Sequence, residues 1–348
     1  MKVVRARLAL ILSTVVAFVS LIAIAAGAST AAPLHAGGTN AGPTIRLIEA
    51  GSTDFSSADV FYFADLMKKN GINVEFNLIP DASSALRTVI AGQADLFIGS
   101  LPTAILAVVN GGANIKIIAA NDQASDYVLV AQPGVTLQNL SGKTLAIDSP
   151  GSAGHVASEI GLQKSGIDPS IVHYVKIGGS SARLTAILAG KVDIAPLHYP
   201  QALSALATGK VNLLLNVGKV IGPYLQSGLI ASDTFLKNKG LAQKAVNSFI
   251  NAERWAASNK FKYISYANAQ KLDGGLNGDQ EAKVWDFYSD TKFFGVNGGI
   301  CFDNITQFAK LNWTIGSLPK PLPGRKDWLN DTFVKAYLIA HKQKPAVC

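Results

Sequence analysis

Small polar residues stand where predicted strands end and the chain turns into a helix. Ser100 follows the apolar segment 95–98, and His198 stands at the corresponding position after a second, similar segment, beside Tyr199. Ligands of parallel α/β folds bind outside the carboxyl ends of the strands, where helix N-termini present free amide groups. These side chains are therefore candidate ligand contacts.

Two further loops occupy the same kind of position. The segment 151–153 (GSA) opens a predicted helix after the strand predicted at 143–147, and its amides and hydroxyl could cradle an anion. The segment 53–55 (TDF) follows the first predicted strand, although an Asp there serves equally well as a helix cap. The candidate ligand contacts are Thr53, Asp54, Phe55, Ser100, Gly151, Ser152, Ala153, His198 and Tyr199.

Other ionisable residues have spacings that do not indicate catalysis. Asp95 and Asp193 each open a strand after a helix-ending glycine, at the end opposite the cleft, so we expect them to accept hydrogen bonds from the preceding turn. His155 and Glu159 lie one helical turn apart, which predicts a surface pair. Metal-site spacings, a nucleophile elbow, a P-loop and a dinucleotide fingerprint are all absent from the sequence. We expect no catalytic residue, no metal and no cofactor, with a secreted hydrolase as an alternative.

The elements that must position the candidate contacts occur in two similar copies. Segment 83–96 (SSALRTVIAGQADL) returns 97–98 residues later as 180–194 (SSARLTAILAGKVDI), and the match continues to Pro102 and Pro200. Each copy predicts a Ser-capped helix closed by Gly, a short strand, and a Pro-containing turn into a new helix. Two such units predict two α/β lobes, with a ligand held between them.

The hydrophobic pattern predicts strands and helices in alternation, which is typical of mostly parallel sheets covered by helices on both faces. The segments 121–126 and 217–224 would then cross between the lobes as a two-stranded hinge. We predict lobe 1 from 44–121 and 224–348, with the helical C-terminal tail packed on it, and lobe 2 from 122–223. Strands are predicted at 44–50, 72–79, 95–98, 115–120, 127–131, 143–147, 172–177, 193–195 and 211–216.

The N-terminus carries the pattern of an export signal. Lys2, Arg5 and Arg7 precede the largely apolar run 8–26, and Ala26-Gly27-Ala28 has small residues at the positions that signal peptidase requires. We predict a signal peptide over 1–28, cleaved near Ala28, a flexible lead-in over 29–43, and a periplasmic protein. An uncleaved anchor is the alternative, because the run is long enough to span a membrane.

Charge and cysteine content narrow the partners further. The net charge of +8 is spread along the chain without a dense Lys/Arg block, so we expect no nucleic-acid partner. The chain has two cysteines, Cys301 and Cys348. In an exported protein they could form a disulfide, or they could remain free thiols, and neither belongs to a metal-binding spacing.

Several motifs occur in the order found in one known family. They are AGQADLFIG at 91–99, LSGKTLAI at 140–147, GS at 151–152, AGKVD at 189–193 and SGLIAS at 227–232. With them the chain resembles, over about 44–260, the periplasmic solute-binding proteins of nitrate/sulfonate/taurine ABC importers. The resemblance implies a monomeric, two-lobed type II "Venus flytrap" of the α/β class that closes on a small ligand and docks a membrane permease. Enzymes of this fold that make a thiamin precursor carry a cysteine-rich cluster that this chain lacks.

The loop at 151–152 and the resemblance together predict the ligand class. We expect a small organic or inorganic anion such as a sulfonate or carboxylate. Because the candidate segments contain no Arg or Lys, a monoanion or neutral solute is favoured over a doubly charged one. An aromatic ligand would fit if Phe55 and Tyr199 both face the cleft. A receptor that presents its ligand to a sensor is the alternative to transport.

Overall fold

A computed structural model describes residues 42–51, 53–300 and 302–345. The predicted signal peptide, nearly all of the lead-in, and both Cys301 and Cys348 lie outside the described residues. Within the described part, no helix is both long and apolar enough to cross a membrane.

Two five-stranded sheets form the centres of two lobes. Sheet 1 contains β1 (Thr44–Ala50), β2 (Asn73–Ile79), β3 (Leu96–Ser100), β4 (Ile115–Ala120) and β10 (Ser227–Ser232). Sheet 2 contains β5 (Tyr127–Ala131), β6 (Thr144–Ile147), β7 (His173–Lys176), β8 (Ile194–His198) and β9 (Asn212–Asn216). The strand orders are β2-β1-β3-β10-β4 and β7-β6-β8-β5-β9.

Each sheet is parallel except for one strand, as the alternating pattern predicts. β10 pairs antiparallel with β3 and β4, and β5 pairs antiparallel with β8 and β9. These are the first strands after the two chain crossings, so each enters its lobe at the cleft and runs away from it. All other strands run towards the cleft, which brings their carboxyl ends to the place where ligands bind in such folds.

The helices cover both faces of the sheets. Lobe 1 has α1 (Ala58–Lys69), α2 (Ala82–Ile90) and α3 (Leu101–Gly111). Lobe 2 has α4 (Ala153–Lys164), α5 (Ser180–Leu188), α6 (Tyr199–Ala207) and α7 (Val217–Ile221). The tail has α8 (Asp233–Leu236), α9 (Lys239–Ser258), α10 (Lys260–Ala269), α11 (Gly278–Asp290), α12 (Phe302–Thr314), α13 (Arg325–Trp328) and α14 (Thr332–Ala340).

The paired aspartates of the repeat are structural, but their partners differ from the prediction. Asp95 accepts hydrogen bonds from the Arg46 backbone N–H at 2.8 Å and from its guanidinium. Asp193 accepts equivalent bonds from the Thr144 N–H and hydroxyl, each at 2.8 Å. The donors belong to the neighbouring strand rather than to the preceding turn. Arg46 and Thr144 are themselves 98 residues apart, so the repeat extends to the first strand of each unit.

The tail contacts both lobes, whereas the sequence predicts packing on lobe 1 only. α9 lies along α1, with the ring of Phe249 edge-on to Phe63 at 5.5 Å. On the other side, Phe287 of α11 stacks on Tyr199 of lobe 2 at 4.3 Å. α12 also reaches lobe 2, where the Gln163 side chain donates to a carbonyl of that helix. The tail therefore bridges the two lobes.

Candidate functional site

The two chain crossings run side by side and form one hinge. The Tyr224 N–H donates to the Gln123 carbonyl at 2.9 Å, and the Gln226 N–H donates to the Asp122 carbonyl at 3.2 Å. Backbone hydrogen bonds of this kind keep the two crossings in register while allowing a change of angle between the lobes.

Across the cleft from the hinge, the lobes touch directly. The Gly179 N–H of lobe 2 donates to the Pro80 carbonyl of lobe 1 at 3.0 Å. The Ala82 N–H at the start of α2 donates to the Asp148 carboxylate of lobe 2 at 3.0 Å. Further contacts are Thr103 to the Gly151 carbonyl, Ser83 to Ser149 and Lys176 to Asp81. This is a closed cleft.

Closure brings two backbones together at Gly179. A Cβ on this residue would lie 2.6 Å from the Gly51 Cα in the opposite lobe. The φ angle of Gly179 is −56°, which any residue can adopt. The lack of a side chain is therefore required by the approach of lobe 1 and not by the local backbone conformation.

A cavity of about 100 Å³ lies between the closed lobes. A cavity of about 150 Å³ is large enough for benzene, which has six heavy atoms, so this one suits a solute of roughly four heavy atoms. Of the predicted contacts, Ser100, Ser152, Ala153 and His198 line it. The corresponding pair Ser100 and His198, one from each lobe, is thus brought to one place.

The other predicted contacts are outside the cavity lining. Phe55 is fully buried with its ring edge-on to Tyr263 at 5.3 Å, and Tyr199 stacks on Phe287. The two rings that would hold an aromatic ligand therefore belong to the core. Asp54 caps the short 3₁₀ helix 55–57 through the Ser56 N–H at 2.8 Å, and neither Thr53 nor Gly151 is part of the lining.

Two of the three amides of the predicted anion cradle at 151–153 donate within the loop itself. The Gly151 N–H donates to Nδ1 of His155 at 3.1 Å, and the Ser152 N–H donates to the Ser149 carbonyl at 3.0 Å. The Ser152 hydroxyl oxygen accepts from the His155 N–H at 3.4 Å and so caps α4. These groups are therefore engaged within the loop. His155 and Glu159, predicted as a surface pair, are largely buried, with exposed side-chain fractions of 15% and 20%.

Replacing Ser152 with Ala is expected to remove this cap at a cost of about 1 kcal/mol, or a fall of roughly 2–4 °C in Tm. The free amides of the first turn of α4 would lose their side-chain acceptor, and thermal unfolding measures the loss. Ser289 is exposed on α11, so Ser289→Ala is the matched control and should leave Tm unchanged. Equal Tm values for the two variants would contradict the capping role.

His198 forms a charged pair with Asp126, which ends the first hinge crossing. Nδ1 of His198 is 2.9 Å from the fully buried Asp126 carboxylate, which also accepts from the Gln226 side chain at 2.9 Å. Burial lowers the pKa of His198, but the adjacent Asp126 outweighs it and raises that pKa to about 9. Burial likewise opposes ionisation of Asp126, yet His198 and Gln226 hold its pKa below the usual value. At neutral pH the pair is ionised.

Three acidic residues and one basic residue of the lining are missing from the predicted set. Burial raises the pKa of Glu49 to about 8 and also raises the pKa of Asp148. Burial and the nearby Asp126 together place the pKa of Asp122 well above its usual range. The fourth is Arg183, 1% exposed, whose Nε and Nη1 donate to carbonyls of Pro196 and Gly178. Glu49 and Asp148 stand near strand ends in the sequence, a signal that could have identified them.

The chain belongs to the NMT1/THI5-like family, whose model matches residues 62–260, more than half of its length. Comparison with curated protein sequences finds no match.

Among solved structures, a ligand-binding component of an ABC-type import system from Staphylococcus aureus, with zinc bound, has a TM-score of 0.69 at 15% identity, covering 84% of this chain and 98% of that one. The periplasmic nitrate-binding protein NrtA from Synechocystis PCC 6803 has a TM-score of 0.69 at 13% identity. The match covers 86% of this chain and 89% of that one. The desulfurization enzyme DszB has a TM-score of 0.58 at 14% identity, and the match covers 85% of this chain and 99% of that one.

These likenesses establish the fold. The chain is a two-lobed α/β protein with the type II periplasmic binding architecture. Because an enzyme also has this fold, the choice between binding and catalysis depends on the residues at the cleft.

Proposed function

We propose that this protein is the extracytoplasmic solute-binding component of an ABC importer and captures a small solute by hinge closure. The observation that carries the proposal is the cavity enclosed between two lobes that share one hinge. Membership of the NMT1/THI5-like family and the likeness to import components support it. The protein would act as a periplasmic monomer and pass the solute to a permease.

The mechanism follows from the contacts across the cleft. A solute that touches both lobes stabilises the closed form, and it can shift the equilibrium only by its preference for that form. Ser100 and Glu49 would hold it from lobe 1, and Ser152 and His198 from lobe 2. The permease would then recognise the closed pair of lobes.

A hydrolytic function is disfavoured by the state of the same residues. His198 and Asp126 have the arrangement of a base and its orienting acid, but a histidine with a pKa of about 9 is protonated at neutral pH and cannot accept a proton. The Ser100 hydroxyl already accepts a hydrogen bond from the Thr103 N–H and another from its hydroxyl. The cleft is thus arranged to bind rather than to activate a nucleophile.

The proposal is tested by a thermal-shift screen followed by chemical analysis of the solute. The panel contains nitrate, methanesulfonate and acetate as anions, amides as neutral solutes, and amidinium and ammonium compounds as cations. We expect one class to raise Tm in a dose-dependent way, to lower the radius of gyration in small-angle scattering, and to be recovered unchanged by NMR. Chemical conversion of the solute would favour the enzyme, and no shift with any class would contradict the binding function.

Transport and sensing make different predictions about the partner. A neighbouring gene pair for a permease and an ATPase, with solute uptake lost on deletion of this protein, would support the importer. A neighbouring sensor, with uptake unaffected, would support the receptor that presents its ligand.

A further inference from the structure

Unpartnered oxygen atoms surround the cavity. Among the described residues, seven buried side-chain polar atoms have no hydrogen-bond partner, and all seven are oxygens. Four of these belong to residues that line the cavity: Glu49, Asn121, Asp148 and Gln226. Asn121, Asp148 and Gln226 are 6%, 8% and 1% exposed, so bulk water does not satisfy these atoms. A buried acceptor without a donor is costly, and such atoms commonly indicate a bound group.

The Gln226 amide can be oriented without ambiguity. Its NH₂ group donates to Asp126 at 2.9 Å, and Asp126, ionised beside His198, can only accept. The unpartnered atom of Gln226 is therefore its carbonyl oxygen. The Asn121 NH₂ group donates to the Asp122 carboxyl group at 2.9 Å, which leaves the Asn121 carbonyl oxygen without a partner.

Three backbone N–H groups at the helix N-termini of the cleft are already engaged. The N–H of Ala82 at the start of α2 donates to the Asp148 carboxylate, and that of Thr103 in the first turn of α3 donates to the Ser100 hydroxyl. The Gly151 N–H is held by His155. At these three helix N-termini, the amides that the sequence predicts as anion donors are therefore already paired.

We propose that the captured solute carries a nitrogen group with two or more N–H donors, of the amide or amidinium type, which the oxygens of Asn121, Asp148 and Gln226 accept. This rests on the proposed function, because it names the ligand class of the same cleft. It differs from the sequence-based expectation of a simple sulfonate or carboxylate.

The opposite wall sets a second requirement. His198 and Arg183 both line the cavity, and each has one more nitrogen than the contacts described above engage. A solute with an acceptor atom beside its N–H group therefore suits both walls. An amide meets this requirement, whereas a carboxylate offers acceptors to a wall of acceptors.

Three molecules of the same shape separate these possibilities. Acetamidinium, acetamide and acetate share one heavy-atom skeleton and differ in charge and in N–H donors. Titration calorimetry with each should show that acetamidinium or acetamide binds at least about tenfold more tightly than acetate, since leaving buried acceptors unpaired costs roughly a factor of ten or more. The same solute should lower the radius of gyration.

Variants assign the preference to the cavity oxygens. Asn121→Leu removes one of these oxygens, and Asp148→Asn keeps the side-chain shape while exchanging an oxygen for an NH₂ group. Each should reduce the preference over acetate several-fold, and the second variant remains informative if the first does not fold. Glu75→Gln is the matched control, because Glu75 is exposed on β2 and outside the lining.

The outcomes distinguish this inference from the function on which it rests. Tightest binding of acetate, or a preference unchanged in both variants, would overturn the inference while leaving a binding protein. If other solutes close the lobes but neither acetamidinium nor acetamide does, the inference is likewise overturned and the binding function stands. No closure with any solute class would overturn both.

Discussion

Gly179→Ala is expected to bind its solute on the order of 10–100-fold more weakly than the wild type while remaining fully folded. The added Cβ would lie 2.6 Å from the Gly51 Cα and 2.9 Å from its carbonyl carbon, and neither backbone atom can move aside as a side chain does. The lobes must therefore stop short of full closure. Each lobe alone tolerates the change, because φ at Gly179 suits alanine.

The measurement combines affinity with shape. For the solute that stabilises the wild type, calorimetry should show the loss of affinity, and small-angle scattering should show that the radius of gyration no longer falls on binding. Gly111→Ala is the matched control, since a Cβ at Gly111 meets no atom within 4 Å. Wild-type affinity in Gly179→Ala would mean that solute binding does not require the closed cleft described here.

His198→Ala is expected to lower the free energy of unfolding at pH 7 by on the order of 3 kcal/mol, or roughly 5–10 °C in Tm. Removing the imidazolium leaves the fully buried Asp126 carboxylate with neutral partners only, which are the side chains of Gln226 and Tyr288 and the Tyr199 backbone. Breaking one partner out of a buried ion pair costs more than losing the pair as a whole. His173→Ala is the control, since His173 is exposed on β7.

The same pair predicts the sign of a pH dependence. The pKa of His198 is raised to about 9 in the folded state from the usual 6.5, because Asp126 outweighs the effect of burial and Asp54 adds to it, against Arg183. The stabilisation that the protonated His198 gives the folded state is therefore complete below about pH 6.5 and is lost as the pH rises through 9. Urea unfolding between pH 6 and 10 should show this loss in the wild type.

Subtracting the His198→Ala curve removes the pH dependence of other groups, such as Glu49, that both proteins share. The stability difference should shrink as the pH approaches 10. A constant difference across this range would contradict the ionised pair and indicate a purely steric role for His198.

Much of this architecture could be predicted from the sequence, because alternation of strand and helix and the repeat at 98 residues are local patterns. The repeat also placed Ser100 and His198 at equivalent strand ends, and both line the cavity. The tail was harder to place. Its helices have one apolar face each, and nothing in that periodicity says which lobe a face will cover, so the contacts of α11 and α12 with lobe 2 were missed.

The site was less predictable, because its chemistry depends on which donors and acceptors have partners. The sequence of the 151–153 segment predicts an anion-binding loop. In the structure, however, His155 accepts the hydrogen bond from the Gly151 N–H. Gly178 and Gly179 look alike in sequence, but Gly178 adopts a φ of 104° that favours glycine, whereas Gly179 is limited by the opposite lobe. Only the three-dimensional structure separates these two requirements.

Asp148 has a consequence for selectivity. Its carboxylate projects from lobe 2 onto the first amide of α2 in lobe 1, the kind of position where free anions bind in other proteins. A tethered group acts at a high effective concentration, so a dissolved anion at this amide would compete with a carboxylate that is always present. The competition exists only when the lobes meet. Discrimination against anions would then be a property of the closing step itself, absent from the open protein and complete once the solute is enclosed.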